Sequence, residues 1–199
     1  MSPKIGMEPI RRKQAIDAAK VCILNHGFAH FSIKDVAKEA GISTGVLYHY
    51  FQNKQDLLVQ VLKETFAETE QSVRKAVDSN PSFESKFTAY LETVVHVPEN
   101  NPSFYLLLLN YLAQSPYNED VRELVQKFFG NLTSYLDTIL FLGVQENKLS
   151  ELQAGTLSRL IIGQAMGLAF QENLHPHEKM KEHRQEFVRI FQHYLAQNK

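Results

Sequence analysis

One spacing governs almost the whole 199-residue chain: apolar residues recur every three or four positions, and no stretch alternates convincingly at period two. That pattern predicts an all-α protein, with glycine and proline as its punctuation. Ala15, Ile16, Ala19, Cys22 and Ile23 share one helical face, and Gly27 ends this first helix after His26. Ser32, with Asp35 three residues on, makes a capping-box-like start for a second helix, whose stripe is Ile33, Val36, Ala37 and Ala40. Gly41 breaks the pattern, and Ser43 can cap a third helix to about Phe51. Asn53 followed by Asp56 is a further start signal. The fourth helix is expected over 54–78, with Leu58, Val61, Leu62, Thr65, Thr69, Val73 and Ala76 as its buried stripe. At 1.5 Å per residue its roughly 25 residues span ~37 Å, enough to join two domains.

Prolines delimit the helices of the second half, because proline fits the first turn of a helix and breaks its middle. Asn80-Pro81 stops the fourth helix, and Pro98, Pro102 and Pro116 bound helices expected at about 83–96 and 102–114. A long helix is expected next over 118–147, with a bend near Gly130. Ser150 and Gln153 form a capping box for another, to about Asn173. His175-Pro176 ends that one, and a last helix is expected over 177–197. The expected total is about nine helices.

Composition narrows the class. There is no run of about 18 apolar residues, so no membrane span is expected, and the first residues lack the apolar core of a signal peptide. One cysteine excludes an intramolecular disulfide and a cysteine-based metal cluster. A cytoplasmic location is the expectation. Net charge is only −1, but it is unevenly spread. Residues 1–56 hold eight Lys or Arg against five acids, a balance of +3, and the remainder sums to −4. A basic head on an acidic body suits one end facing phosphate.

The segment Ser32 to Phe51 is the informative one. Two helices of about eight residues, joined by a short glycine-containing turn, make a helix-turn-helix. Ala37 is small where the helices must approach, and Gly41 is free to take a positive φ. Leu47, Tyr50 and Phe51 form the inward face of the third helix, leaving Thr44, Gly45, Tyr48, His49 and Gln52 toward solvent. Such a surface suits the major groove, which accepts one helix by its N-terminal residues.

The run from Ile33 to Lys54, IKDVAKEAGISTGVLYHYFQNK, resembles the DNA-binding signature of the TetR family of repressors, with the likeness extending over about residues 11–60. The resemblance implies an N-terminal three-helix helix-turn-helix domain, taken as 1–53, and a C-terminal helical domain for effector binding and dimerisation, taken as 54–199. Carried over by position, Ser32 and Ser43 stand at helix starts, with Ser32 on a phosphate. Thr44, Gly45 and Val46 face bases, Tyr48 and His49 touch phosphate or base edges, and Lys54 clamps a phosphate. Val46 stands where Thr or Ser is more usual, and its apolar side chain suits a thymine methyl. The arm from Pro3 to Arg12 is similar to the start of choline-sensing repressors of betaine synthesis, and Arg11 and Arg12 are candidates for phosphate or minor-groove contacts.

The expected partners are double-stranded DNA, a second copy of the chain and an unknown small-molecule effector. The eighth helix is apolar almost all round, and Gly155, Gly163, Ala165, Gly167 and Ala169 allow close backbone approach. The last presents Met180, Phe187, Ile190, Phe191 and Tyr194. These two helices are expected to pair with their symmetry mates, through Leu160, Gly163, Gly167, Phe187, Phe191 and Tyr194. For the effector, Phe66, Phe87, Tyr90, Tyr105, Tyr111 and Tyr135 either line an apolar pocket or are plain core, and an aromatic cage for a quaternary ammonium is one form such a pocket takes.

Two rivals remain open. An enzyme would need a constellation the sequence lacks: His175, His177 and His183 near Glu172 fit no common metal spacing, Cys22 sits on a buried face, and no glycine-rich phosphate loop stands out. No cofactor, metal or catalytic residue is therefore expected. A helical protein–protein adaptor without DNA binding is the other, and Tyr48, Lys54 and the arm arginines argue against it.

Overall fold

The computed structural model describes residues 8–174 and 180–197, and the arm residues 3–7, His175 and His177 lie outside them. The described residues form ten helices: α1 Glu8–His26, α2 Ile33–Glu39, α3 Thr44–Tyr50, α4 Lys54–Asp78, α5 Phe83–Val95, α6 Val97–Asn100, α7 Pro102–Gln114, α8 Glu119–Gln145, α9 Glu151–Leu174 and α10 Met180–Gln197. The helix beyond the expected nine is α6, a single turn with proline in its first positions. Pro98 has the signature of a boundary, yet proline tolerates a first turn as well as it ends a helix.

Contacts divide the chain into two compact units, Met1–Ala67 with Pro102–Leu124, and Glu68–Asn101 with Val125–Lys199. This grouping differs from the division at residue 53. The first half of α4 packs with the head, and so does α7.

In the first unit, α1 lays Ala15, Ile16, Ala19, Cys22 and Ile23 beneath α2 and α3, and all five are buried. Val36 and Ala37 of α2, Leu47 of α3, Phe51, and Leu57, Leu58, Val61 and Leu62 of α4 complete this core. Gly41 takes φ +65°, and the bonds from Ile42 N to Ala37 O (3.0 Å) and Gly41 N to Lys38 O (3.2 Å) close α2 in a left-handed cap. α7 joins the same unit through edge-on contact of Tyr111 with Phe28 (5.4 Å between ring centroids) and tilted contact of Phe104 with Phe66 (5.9 Å).

The second unit is organised by α5, whose Phe83, Phe87, Tyr90, Leu91, Val94 and Val95 are buried and which packs against α9 and α10. α8 ends in a cap at Asn147 (φ 57°), with Lys148 N bonded to Gly143 O at 2.8 Å. α9 buries one face only: Leu157, Ser158, Ile161, Ala165 and Ala169 turn inward, whereas Leu160 (58% exposed), Phe170 and Leu174 face out. α10 also splits. Met180, Arg184, Phe187, Val188 and Leu195 are buried, while Ile190 and Tyr194 lie outside. The sequence pattern puts Met180, Phe187, Ile190, Phe191 and Tyr194 in one apolar stripe, and the structure divides it. Successive residues turn by about 100°, so Phe187 and Ile190 diverge enough for the core to take the first and leave the second.

Gly143 of α8 lies against the Phe83 ring. A Cβ built there would lie 2.6 Å from the ring, and Phe83 is only 1% exposed, so the ring has nowhere to go. Gly143→Ala is expected to destabilise the protein by about 1–3 kcal/mol, as overpacking of a dense core does, measured by urea unfolding.

Candidate nucleic-acid interface

The head is assembled from capped helices. Ser32 is the N-cap of α2 with extended backbone (φ −116°, ψ 163°), and its Oγ accepts from Asp35 N at 3.3 Å. Asp35 Oδ2 in turn accepts from the Ser32 backbone N–H and from the Ser32 hydroxyl, both at 2.7 Å. These bonds favour the charged carboxylate and hold Asp35 below the ordinary value of 3.8. The Ser32 hydroxyl proton is thus already engaged by an acid at the place where a phosphate is expected. Ser43 caps α3, its Oγ accepting from Val46 N at 3.3 Å.

α3 has a clear inside and outside. Leu47 is 1% exposed and Phe51, just past its end, 2%. Tyr48 stands 57% exposed beside an exposed His49, and Gly45 is exposed at the N-terminal turn. Thr44, Val46 and Tyr50 are half-buried. A Cβ at Gly45 would meet only Ser43 Oγ at 3.8 Å, so its value lies in the bare surface it offers outward and not in crowding. His49 stacks edge-on against Tyr50 at 5.1 Å.

Three of the expected contacts are cations, and two are turned inward. Lys54 is half-buried: its Nζ donates to Phe31 O at 2.6 Å and Ala29 O at 3.5 Å, and lies 4.1 Å over the Phe31 ring. Arg12 donates from Nη2 to Gln60 Oε1 at 2.7 Å, its guanidinium 5.7 Å from the centre of the Phe51 ring. Arg11 is half-buried beside it in sequence. Residues that sequence reasoning missed complete the pattern. Gln60 Nε2 donates to Asp56 Oδ1 at 3.3 Å, and Asp56 Oδ2 accepts from Gln52 N at 2.9 Å. The Asp56–Gln60 spacing of four is the available signal, although Asp56 after Asn53 reads first as a helix start.

The aromatics considered for an effector pocket are divided between the units. Phe66, Tyr105 and Tyr111 belong to the first, Phe87, Tyr90 and Tyr135 to the second. All but Tyr135 are at most 4% exposed. Tyr90 donates to Leu132 O at 3.1 Å, and its burial pushes the phenol well above its ordinary range. Tyr135 donates to Asp78 Oδ1 at 2.7 Å beneath the Arg74 guanidinium (4.3 Å); burial and that bond push it up to about 12. The Tyr111 hydroxyl is buried without a hydrogen-bond partner, and desolvation raises its pKa strongly. A different feature of the second unit is open: a cavity of about 220 Å³ bounded by Glu68, Thr69 and Ser72 of α4, Thr93 of α5, Val97 and Asn100 of α6, and Asn101. No aromatic side chain lines it.

Of the residues expected at a dimer interface, Leu160, Gly163 and Gly167 share the outer face of α9, where they border a shallow groove with Arg159, Gln164, Leu168 and Gln171. Tyr194 is 36% exposed and Phe191 half-buried. Phe187 is 3% exposed and packs on Phe191 at 5.1 Å, which makes it core of its own chain. Of the residues considered for a metal cluster, Glu172 pairs with Arg184 (2.6 Å) and His183 is exposed.

An all-helical chain with a short glycine-closed helix pair, its second helix apolar inside and polar outside, is a helix-turn-helix protein. Residues 15–61 match the N-terminal model described as bacterial regulatory proteins, tetR family. A relative from Agrobacterium fabrum named HTH-type transcriptional regulator BetI is 30% identical over 134 residues, covering 67% of this chain and 65% of that protein. Just under two thirds of that relative's length is therefore spanned. A TetR transcription regulator from Haloarcula marismortui shares the fold, with a TM-score of 0.81 at 20% identity over 92% of this chain and 98% of that one. So does a transcriptional regulator from Saccharomonospora viridis solved in complex with choline (TM-score 0.80, 17% identity, 91% and 96%). Residues 15–61 thus carry an N-terminal domain of the tetR family of bacterial regulatory proteins, and the described residues beyond it share the fold of solved regulators. These relatives are regulators, in line with the non-enzymatic reading of the sequence.

The cap on α2 carries a pH signature. The Asp35 pKa is lowered on folding, so its contribution is complete above the unfolded value of 3.8 and disappears as pH falls through the folded one. Ser32→Ala is expected to lower the urea midpoint at neutral pH, with the gap to wild type narrowing below about pH 4.

Proposed function

We propose that this protein is a DNA-binding transcriptional regulator of the cytoplasm, a repressor that holds a palindromic operator as a homodimer and releases it when a small-molecule effector binds. The observation that carries this reading is the outward face of α3, where Gly45, Tyr48 and His49 are exposed while Leu47 of the same helix is buried. A helix so set enters a major groove by its N-terminal residues, with Thr44, Gly45 and Val46 at the base edges. Tyr48 and His49 flank them, within reach of phosphate or base edges. Exposed Lys34 and Lys38 on α2 add positive charge to the same head. Selection of bound duplexes from a random pool is expected to return a near-palindrome with half-sites about one helical turn apart. Tyr48→Ala should weaken binding to it while leaving the fold unchanged by circular dichroism. Recovery of no preferred sequence counts against the reading.

A dimer is supported by the outer face of α9, where exposed Leu160 and Phe170 accompany Gly163 and Gly167. Exposed apolar residues in one row with glycines are what a closely approaching symmetry mate would cover. Leu160→Glu is expected to shift the protein toward monomer in sedimentation, with little loss of monomer stability because the side chain is 58% exposed.

For the effector we place the site at the cavity beside α4, α5 and α6 and not among the buried aromatics. Its hydroxyl, amide and carboxylate groups suit a small polar ligand. Choline, which the Saccharomonospora viridis neighbour holds, is the first compound to try. Binding preferentially to a state with misplaced heads would lower operator affinity about 5–150-fold for a coupling of about 1–3 kcal/mol. Equal operator affinity with and without a saturating true effector would refute the switch.

A further inference from the structure

We infer that the cavity beside α4, α5 and α6 selects a small cation carrying its own N–H donors, a primary or secondary ammonium, over a quaternary ammonium or an anion. The inference rests on the reading that this cavity is the effector site. Its ground is an imbalance in the wall between groups that accept hydrogen bonds and groups that donate them. Among the described residues that bound the cavity, Glu68 of α4 is the only ionisable one, and an ionised carboxylate only accepts. Thr93 of α5 gives its hydroxyl proton to Ala89 O (2.7 Å), so its oxygen is left to accept. The backbone N–H groups of Asn100 and Asn101 are spent within the turn of α6, on His96 O (3.0 Å) and Val97 O (2.8 Å). Donors that an anion would need are thus committed elsewhere.

Electrostatics point the same way. Thr93 lies in the last turn of α5, where the carbonyl end of a helix carries partial negative charge and favours a cation. The neighbouring charges are engaged with one another: Glu99 of α6 faces Arg184 of α10 at 3.3 Å and His96 at 4.0 Å, and Arg184 also pairs with Glu172 at 2.6 Å. None of these four bounds the cavity. Among cations, a quaternary ammonium has no N–H and is held best by aromatic faces, which this wall lacks. An ammonium with N–H donors can make charge-assisted bonds to the Glu68 carboxylate and can also donate to Thr93 Oγ1. A carboxylate offers about four lone-pair positions, so a bond to a protein neighbour does not stop Glu68 from taking a ligand N–H. The volume of about 220 Å³ equals about seven waters at roughly 30 Å³ each, which limits the ligand to a few heavy atoms.

The test is titration calorimetry on the full-length protein with one skeleton in three grades of N–H: ethanolamine, N,N-dimethylethanolamine and choline, all cationic at neutral pH. Ethanolamine is expected to bind about tenfold or more tightly than choline, with dimethylethanolamine between them, because charge-assisted hydrogen bonds are the strong ones. Glu68→Gln removes the charge at nearly constant shape and should bring the ratio of ethanolamine to choline affinity below about threefold. If Glu68→Gln does not fold, Thr93→Val takes its place, removing an accepting oxygen at nearly constant volume, with the same narrowing expected. Ser72→Phe fills the cavity from an exposed position and should abolish binding of all three. An unchanged ratio in the Glu68 or Thr93 variant overturns the inference. Choline binding as tightly as ethanolamine, and lost in Ser72→Phe, overturns it too but leaves the cavity as the effector site. Binding that persists in Ser72→Phe overturns the placement of the site, and this inference with it. No binding of ethanolamine, or of the longer 1,4-diaminobutane, up to about 10 mM also overturns the inference.

Discussion

The head depends on one packing event, the burial of Leu47 and Phe51 in the core of the first unit. Each such side chain contributes about 1.5–3 kcal/mol when it leaves water. An isolated seven-residue helix is not stable in water, so this burial and the Ser43 cap supply what propensity cannot. The same burial settles what faces solvent. Because each residue turns by about 100°, a helix with Leu47 pinned inward must carry Tyr48 and Gly45 outward. The outward surface of α3 is therefore a consequence of the core and not an addition to it.

The inward-turned cations change how the charge of the head is understood. A positive balance in the first 56 residues suggests a surface aimed at phosphate, but part of that charge is engaged inside the domain. Lys54 and Arg12 sit on aromatic faces and carbonyl or amide oxygens, where desolvation strengthens each contact. Lys34 and Lys38 of α2, by contrast, are exposed.

In the second unit, the aromatic residues satisfy themselves. Tyr90 and Tyr135 spend their hydroxyls on Leu132 O and Asp78, and Phe83 fills the space that Gly143 leaves open. An effector chemistry inferred from aromatic content alone points toward an apolar cage, whereas the cavity at α4, α5 and α6 offers hydroxyls, amides and one carboxylate.

Local chemistry makes much of this legible in the sequence alone. The caps at Ser32 and Ser43, the left-handed Gly41, the span of α4 and the two faces of α3 all follow from residues within one or two turns of each other, and the structure has each of them. The four-residue α6 was not legible, since one proline serves equally as a stop and as a first turn. Nor was the split of α10, where Phe187 went to the core and Ile190 to the surface. What only the tertiary structure decided is which partner each side chain met. Lys54 found Phe31 O 23 residues away and Arg12 found Gln60 48 residues away. Periodicity says which way a side chain points from its own helix, but not what another helix, brought close by burial, places in front of it.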